Sequence, residues 1–202
     1  KTYQRLNESF SDLFITNMKD DSTAGEIENL GKKVNTKAND GSAVISPDGL
    51  TMYYTICGGG KHGKYYGCSI YKSKFDPDKN KWNKHEVLEG VNGTREVVVN
   101  TKGKTEEVPT YDAYPTLTPD GQTMYFISDR DGGNGATDIW YSTKIGNAWG
   151  TPVHAGPDIN TPFNETSPTV GQDGETLYFA SDGHPGFGGY DLFKAKGKEA
   201  TW

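Results

Sequence analysis

The sequence has few of the residues on which metal, membrane and nucleic-acid functions depend. It contains no apolar run near the ~20 residues that cross a bilayer. Its four histidines lie on separate loops without the spacing of metal ligands, at His62, His85, His154 and His184. Acidic residues outnumber basic ones by 27 to 21, and the net charge is -6. Nucleic acid and anionic membranes are therefore disfavoured as partners, because both reward clustered lysine and arginine.

A signal-like start is missing, and the chain begins with Lys1 rather than methionine. We therefore expect a mature or excised segment. No G-x-S-x-G sequence occurs, so the nucleophile elbow of a serine hydrolase is absent.

Cysteine is also scarce: Cys57 and Cys68 are the only two. A structural zinc site normally needs four Cys or His ligands, and only His62 lies between this pair. If the flanking segments are paired strands, the two cysteines face each other across a hairpin. A disulfide there would stabilise the fold by roughly 3 kcal/mol and favour an extracytoplasmic location. Free buried thiols are the alternative.

Glycine and aromatic residues, in contrast, are abundant. The chain has 26 glycines and 12% aromatic residues, with only 33% hydrophobic residues in total. This composition favours many short strands over helices. Three segments align, 42–55, 114–128 and 167–181, and each reads as strand, Asp-Gly turn and strand. The turn glycines are Gly49, Gly121 and Gly174, and we expect them to supply positive φ.

The spacing of these segments is regular. Asp120 and Asp173, Asp138 and Asp191, and Trp149 and Trp202 are each 53 positions apart. A period near 50 with four strands per unit predicts an all-β fold, a β-propeller of four-stranded antiparallel blades. A two-sheet sandwich is the alternative, but it needs no strict period. The blade count predicts an incomplete ring or a fragment of a larger propeller. The predicted units are a partial blade (8–37), a blade (38–92), an inserted hairpin (93–110), a blade (111–163) and an incomplete blade (164–202).

One loop looks like a binding site, the stretch SDRDGGNGATDIW at 128–140. Asp129, Asp131 and Asn134 could offer oxygen ligands to calcium. Against this, the fifth position of a standard calcium loop is Gly133 here. The third copy keeps Asp182 but lacks the middle carboxylate, and the first copy has neither. A phosphate cradle would need a helix to follow. A structural turn is therefore favoured, and Asp131 with Asn134 is where any ligand would bind.

The same loop in successive blades offers residues that could contact a partner, although solvation of the surface explains them more simply. These candidates are Arg130, Asp131, Asn134, His184 and Phe187. Asp12, Asp138 and Asp191 recur once per blade, which favours an architectural role over a catalytic one. No catalytic residue and no cofactor is predicted.

The motifs SPDG-x-x-M-Y-Y and TPDG-x-x-M-Y-F-x-S-D-R, followed by D-[IL]-[WF], resemble the TolB-like, WD-repeat-like β-propeller repeats of bacterial envelope proteins. Residues 128–138, 149–168 and 181–191 carry the likeness. In such proteins the propeller accompanies an OmpA-like peptidoglycan-binding domain, in some cases within type IX secretion machinery.

The resemblance implies a non-enzymatic scaffold or protein-docking module of a periplasmic, outer-membrane-associated complex. It implies protein partners, peptidoglycan contact only through a neighbouring domain, and no direct membrane insertion. The alternative is a carbohydrate-binding or glycoside-processing propeller, for which an inverting enzyme would need carboxylates about 6.5–9.5 Å apart.

Overall fold

The protein is built from short antiparallel strands. A computed structural model describes residues 11–58, 67–98, 103–199 and 201–202, and within these ranges it contains strands and no helix. The strands are β1 (Phe14–Ile15), β2 (Glu28–Asn29), β3 (Asn39–Ile45), β4 (Thr51–Cys57), β5 (Cys68–Asp76), β6 (Lys81–Trp82), β7 (Glu86–Val87), β8 (Thr94–Val98), β9 (Thr105–Pro109), β10 (Ala113–Leu117), β11 (Thr123–Ser128), β12 (Asp138–Ile145), β13 (Ala148–Trp149), β14 (Val153–His154), β15 (Glu165–Val170), β16 (Thr176–Ser181) and β17 (Asp191–Lys196).

These strands form four sheets of one repeating design, which we number as blades. Blade 1 is β1–β2, blade 2 is β3–β7, blade 3 is β10–β14 and blade 4 is β15–β17. In blades 2 and 3 the fourth strand is divided into two short pieces, and both pieces pair with the third strand. The prediction of four-stranded antiparallel blades is confirmed. The separate hairpin β8–β9 leaves the chain between blades 2 and 3.

The Asp-Gly turns join the first and second strands of blades 2, 3 and 4. Gly49, Gly121 and Gly174 have φ of 74°, 67° and 68°, as predicted. The preceding aspartates do not share this positive φ, so these are not turns with two left-handed residues. In the last turn the Thr176 hydroxyl is the main donor to Asp173 and lowers the pKa of that carboxyl to about 2.

The first strands β3, β10 and β15 are neighbours and line a central channel of about 340 Å³. Each strand contains a bulge at an equivalent position, where a non-glycine residue has positive φ. These residues are Ser42, Tyr114 and Ser167, at 49°, 56° and 53°. Left-handed backbone at non-glycine positions costs about 1–3 kcal/mol each. Its recurrence in three blades shows that the bulge belongs to the blade design.

The hydrophobic core lies between blades. Ile70 of blade 2 is buried against Met124 and Phe126 of blade 3, and Ile139 of blade 3 is buried with Leu177 of blade 4. Leu192 occupies the equivalent position in blade 4, yet it is 86% exposed where Ile70 and Ile139 are 0% exposed. The outer face of blade 4 is therefore uncovered, and the propeller is incomplete, as predicted.

An asparagine connects the end of each of the first three blades to its own third strand. The Asn160 amide accepts a hydrogen bond from the Ile139 N–H at 2.8 Å and donates to the Ile139 carbonyl at 2.9 Å. Asn35 makes the same pair with Leu13, and Asn92 makes it with Ile70. The amide thus replaces one peptide unit of a strand at the point where the chain leaves for the next blade.

Candidate functional site

The candidate surface is the end of the sheets at which the second and third strands of each blade are connected. We call it the loop end, and it carries the 129–137 loop of blade 3 and the 182–190 loop of blade 4. Asp138 closes the first loop by accepting the N–H groups of Asn134 and Gly135, both at 3.2 Å. Asp191 closes the second in the same way, through Phe187 at 2.7 Å and Gly188 at 3.0 Å. These recurring aspartates hold the loops in shape.

The 129–137 loop also packs tightly on blade 4. A Cβ atom at Gly135 would collide with the Phe163 carbonyl oxygen, which accepts the Ala136 N–H at 3.1 Å. Only glycine permits this approach. Part of the glycine content of the loop therefore serves contact between blades.

Asp129, a predicted calcium ligand, has both carboxylate oxygens engaged by protein groups. Oδ1 accepts the Tyr111 N–H at 2.7 Å, and Oδ2 pairs with Arg95 Nη1 of the inserted hairpin at 2.6 Å. Calcium would have to displace Arg95. Across the part of the chain that the structure describes, no group of three or more His, Cys, Asp or Glu is placed to hold a metal ion. The geometry gives the calcium hypothesis no support.

Arg130, predicted as a partner contact, points into the protein instead. Its Nη2 donates to the Asp112 carboxylate at 2.6 Å and to the Val91 carbonyl at 2.7 Å. Its guanidinium lies 5.1 Å from the Phe126 ring centroid and 5.3 Å from that of Trp140. The side chain is only 15% exposed. Arg130 links blades, because its Nε and Nη2 donors and the face of its guanidinium are used within the chain, and a contact with a partner remains a prediction.

His184 occupies the same place in blade 4. Its ring contacts Phe179 and Phe193, and Nε2 donates to the Ile159 carbonyl at 2.8 Å. Since a carbonyl only accepts, Nε2 carries the proton. This bond uses one polar edge of the imidazole within the chain, and a contact between His184 and a partner remains a prediction.

In blade 2 the equivalent backbone carbonyl accepts its hydrogen bond from a third kind of side chain, a tyrosine. The Tyr54 hydroxyl donates to the Val34 carbonyl at 3.1 Å. Val34, Val91 and Ile159 each directly precede the connecting asparagine. A phenol, a guanidinium and an imidazole therefore perform the same task in successive blades.

Asp131 and Asn134 are the remaining candidates from the 129–137 loop. Asn134 Nδ2 donates to the Asn160 carbonyl at 3.5 Å, and its backbone N–H is taken by Asp138. Asp131 is exposed. Among the described residues no hydrogen bond joins the two, so the structure does not bring them together as a paired site.

Cys57 and Cys68 form a disulfide that joins β4 to β5 next to the loop end, with an S–S distance of 2.00 Å. Cys68 also exchanges backbone hydrogen bonds with the segment before β10, through Thr110 O and Asp112 N. The bridge therefore ties the second and third strands of blade 2 where blade 3 begins. His62 lies outside the described residues.

Phe187 differs from the other candidates because it is fully exposed, at 106% of the reference area. Two further aromatic side chains in and beside its loop are also exposed, Tyr190 and Phe163. The Phe163 side chain lies next to Gly183 in the stem of the loop. The loop end of blade 4 thus presents aromatic surface on a backbone that Asp191 fixes.

Three buried acids went unpredicted. Asp40, Asp112 and Glu165 are at most 1% exposed. Glu165 accepts the Thr161 N–H at 3.0 Å, the Thr161 hydroxyl at 2.8 Å and the Ser181 hydroxyl at 2.7 Å. Burial raises the pKa of Asp40. The Asp40 carboxylate accepts hydrogen bonds from the N–H and the hydroxyl of Thr36. For Asp40 and Glu165, a threonine four residues before the acid could have indicated the contact.

Together, the repeated sheets, the central channel and the links between blades define an all-β protein with the blades of an incomplete β-propeller. No protein-family model matches the chain, and no curated protein sequence does. The described residues contain no helix long and apolar enough to cross a membrane.

Two of the solved structures that match the chain serve as examples of its fold. One is TolB from Acinetobacter baumannii, at 16% identity and a TM-score of 0.40, covering 91% of this chain and 46% of that one. The other is a glucose dehydrogenase, at 12% identity and a TM-score of 0.49, covering 91% and 55%. The chain spans about half the length of each. At these identities the likeness concerns the fold alone.

Proposed function

We propose that this chain is a non-enzymatic docking module of a periplasmic, outer-membrane-associated complex, and that it binds a protein partner through the loop end of blade 4. The observation that carries the proposal is the exposed aromatic surface around Phe187. Exposed apolar clusters mark interaction sites on soluble proteins, and aromatic residues are enriched among the residues that dominate binding energy.

The rigidity of this surface supports docking. The Phe187 and Gly188 N–H groups bind Asp191, and the Phe163 N–H donates to the Thr161 hydroxyl at 3.1 Å. A loop that is already ordered loses little conformational entropy when it binds. Arg95 pairs with Asp129, so the inserted hairpin is fixed beside the same end of the sheets.

A binding role is favoured over glycoside hydrolysis by the residues of the channel. Among the described residues, its lining consists of serine, alanine, valine, tyrosine, proline and threonine and includes no carboxylate. Hydrolysis of a glycosidic bond ordinarily needs two. Release of reducing sugar from a panel of envelope glycans by the purified protein would contradict a non-enzymatic role.

Site-specific crosslinking tests the docking surface. A photo-reactive phenylalanine analogue at position 187 should crosslink a defined envelope protein in cells, and Phe163→Ser in the same chain should weaken that crosslink. The matched control places the analogue at Leu50, which is 44% exposed in the turn at the opposite end of blade 2. Identical crosslinking patterns from positions 187 and 50 would refute a docking role for the loop end. Fractionation of the cells tests the periplasmic location separately.

A further inference from the structure

A second surface lies at the other end of the sheets, between blades 2 and 3. It is a cleft of about 790 Å³ framed by the start of β4, by β5 and by the turn between β12 and β13. Strand β4 begins at Thr51 in this cleft and ends at Cys57 beside the loop end. The cleft is therefore separate from the docking surface proposed above, and it is large enough for a ligand site.

Three lysines line the cleft. Lys72 and Lys74 are alternate residues of β5 and point to the same face, and Lys144 reaches in from β12 of the next blade. Glu89 is the one acid among the described lining residues. The cleft is thus cationic in a chain whose net charge is -6.

The charges of these lysines are poorly compensated. Lys72 pairs with Glu86 at 3.7 Å, but that glutamate is 70% exposed, and such surface pairs contribute little. Across the described residues, no carboxylate oxygen lies within 4.0 Å of the ammonium group of Lys74 or Lys144. Lys144 instead lies 5.1 Å from the ring centroid of Trp149. The charge of Lys144 acts on Asp48, where the Ser46 hydroxyl is the main cause of the lowered pKa of that carboxyl and Lys144 adds to it. Both ammonium groups nevertheless face the cleft without an ion pair in direct contact.

The repeat supplies an internal control for this arrangement. In blade 3, Tyr141 takes the place of Lys72 and Thr143 takes the place of Lys74. The strand pairing establishes this equivalence: Lys72 and Tyr141 lie opposite Tyr53 and Tyr125, and Lys74 and Thr143 lie opposite Thr51 and Thr123. The position 53 residues after Lys144 is Gly197. A pocket between blades 3 and 4 contains Thr123 and Tyr125, the counterparts of Thr51 and Tyr53, and its charged residues are Asp120, Asp173, Lys198 and Glu199. The blade design does not require lysine at any of the three positions.

We propose that this lysine cleft binds an extended acidic peptide segment of a protein partner. Alternate residues of a strand are about 7 Å apart, so Lys72 and Lys74 match the spacing of acidic residues at alternate positions of an extended peptide. Lys144 contacts it from the opposite wall. Tyr53 and Trp149, whose rings would stack on a sugar, are only 5% and 9% exposed. A glycan would find no open aromatic face, so peptide is the favoured ligand.

Fluorescence anisotropy with a short labelled peptide of alternating Glu and Thr tests this proposal. The Glu peptide should bind the wild-type protein, bind more weakly as salt rises, and bind far better than its Gln counterpart. The variant K72Q/K74Q/K144Q should weaken binding by about 10-fold or more, since three charge pairs are lost. The matched control K32Q/K37Q/K194Q makes the same change in net charge at exposed lysines outside the cleft and should bind within about 3-fold of wild type.

Three results would overturn the proposal: no binding of the Glu peptide, equal weakening by the two triple variants, or binding of a labelled oligogalacturonate in place of the peptide. The last outcome would assign the cleft to an anionic glycan. Circular dichroism and the melting temperature of each variant establish that it is folded, because exposed lysine-to-glutamine changes rarely alter stability by more than about 0.5 kcal/mol.

Discussion

Replacement of Asn160 by alanine tests most directly how the end of blade 3 is held to its third strand. The Asn160 amide satisfies both the N–H and the carbonyl of Ile139, at 2.8 and 2.9 Å. Asn160 is 1% exposed and Ile139 is 0% exposed. Alanine would therefore leave two backbone polar groups buried without a partner.

The cost follows from these two groups. A buried donor or acceptor left unsatisfied costs about 1–3 kcal/mol, so the pair should cost about 2–6 kcal/mol. Because His154 next to Asn160 is partly exposed, water can reach this side of the site, and we expect about 3 kcal/mol. That is a large part of the ~5–15 kcal/mol that stabilises a typical domain.

Equilibrium unfolding in urea, followed by tryptophan fluorescence, measures this loss as a change in midpoint at constant slope. Asn147→Ala is the matched control, because Asn147 is exposed in the turn between β12 and β13. We expect it to change the free energy of unfolding by less than about 0.5 kcal/mol. If Asn160→Ala and Asn147→Ala are equally stable, the amide does not hold the end of blade 3 to its third strand as described.

Three further predictions concern stability. Arg130→Met should lower the free energy of unfolding by about 3–5 kcal/mol, because it leaves the buried Asp112 carboxylate unpaired. Arg95→Gln removes a pair in which the arginine is 40% exposed and Asp129 is not buried, and it should cost less than about 1 kcal/mol. Equal losses in urea unfolding would contradict the assignment. Reduction should lower the melting temperature of the wild type to that of a C57S/C68S variant, because the disulfide contributes roughly 3 kcal/mol. The melting temperature of the variant should not change on reduction. A shift in both proteins would point to another cause. Asp173 has a folded-state pKa of about 2, below the 3.8 of the unfolded chain, so its contribution is complete above pH 3.8 and is lost as the pH falls towards 2. Asp173→Asn should therefore flatten acid unfolding in that range, and unchanged slopes would exclude the effect.

The blades could be predicted because their repeated features are local. An Asp-Gly turn between alternating strands specifies a hairpin with few residues, and its recurrence 53 positions later specifies a second copy. The split fourth strand could not be predicted in this way. Its pieces are two residues long, for example Ala148–Trp149 and Val153–His154, and pairing of that length leaves no periodic pattern.

The roles of Arg130 and His184 could not be predicted because alignment conceals their equivalence. The residue 53 positions after Arg130 is Gly183, and His184 is one position later. Both side chains nevertheless donate to the carbonyl before a connecting asparagine, at Val91 and Ile159. The two side chains are equivalent because each donates to the same carbonyl of the blade design, and a comparison of aligned positions does not show this.

The buried acids show how an insertion hides a pattern. Thr36 and Asp40 are four residues apart, as are Thr161 and Glu165, and each threonine donates to its acid. In the copy between them, Gly93 donates to an acid 19 residues further on, because the β8–β9 hairpin separates the two. The hydrogen bond from Gly93 to Asp112 is therefore formed although the two residues are no longer four positions apart.

Recurrence within the chain separates the positions that maintain the propeller from those available for recognition. Residues that recur in several blades, such as Asn160 and Asp138, use their polar groups to hydrogen-bond the backbone, so their replacement should change stability. Phe187, Lys74 and Lys144 have no recurring counterpart, and their side chains are not required to hold one blade to the next. If natural selection preserves these residues, it does so for binding and not for the structure of the blade. Loss of binding without loss of stability is therefore the expected signature at the loop end and at the lysine cleft alike.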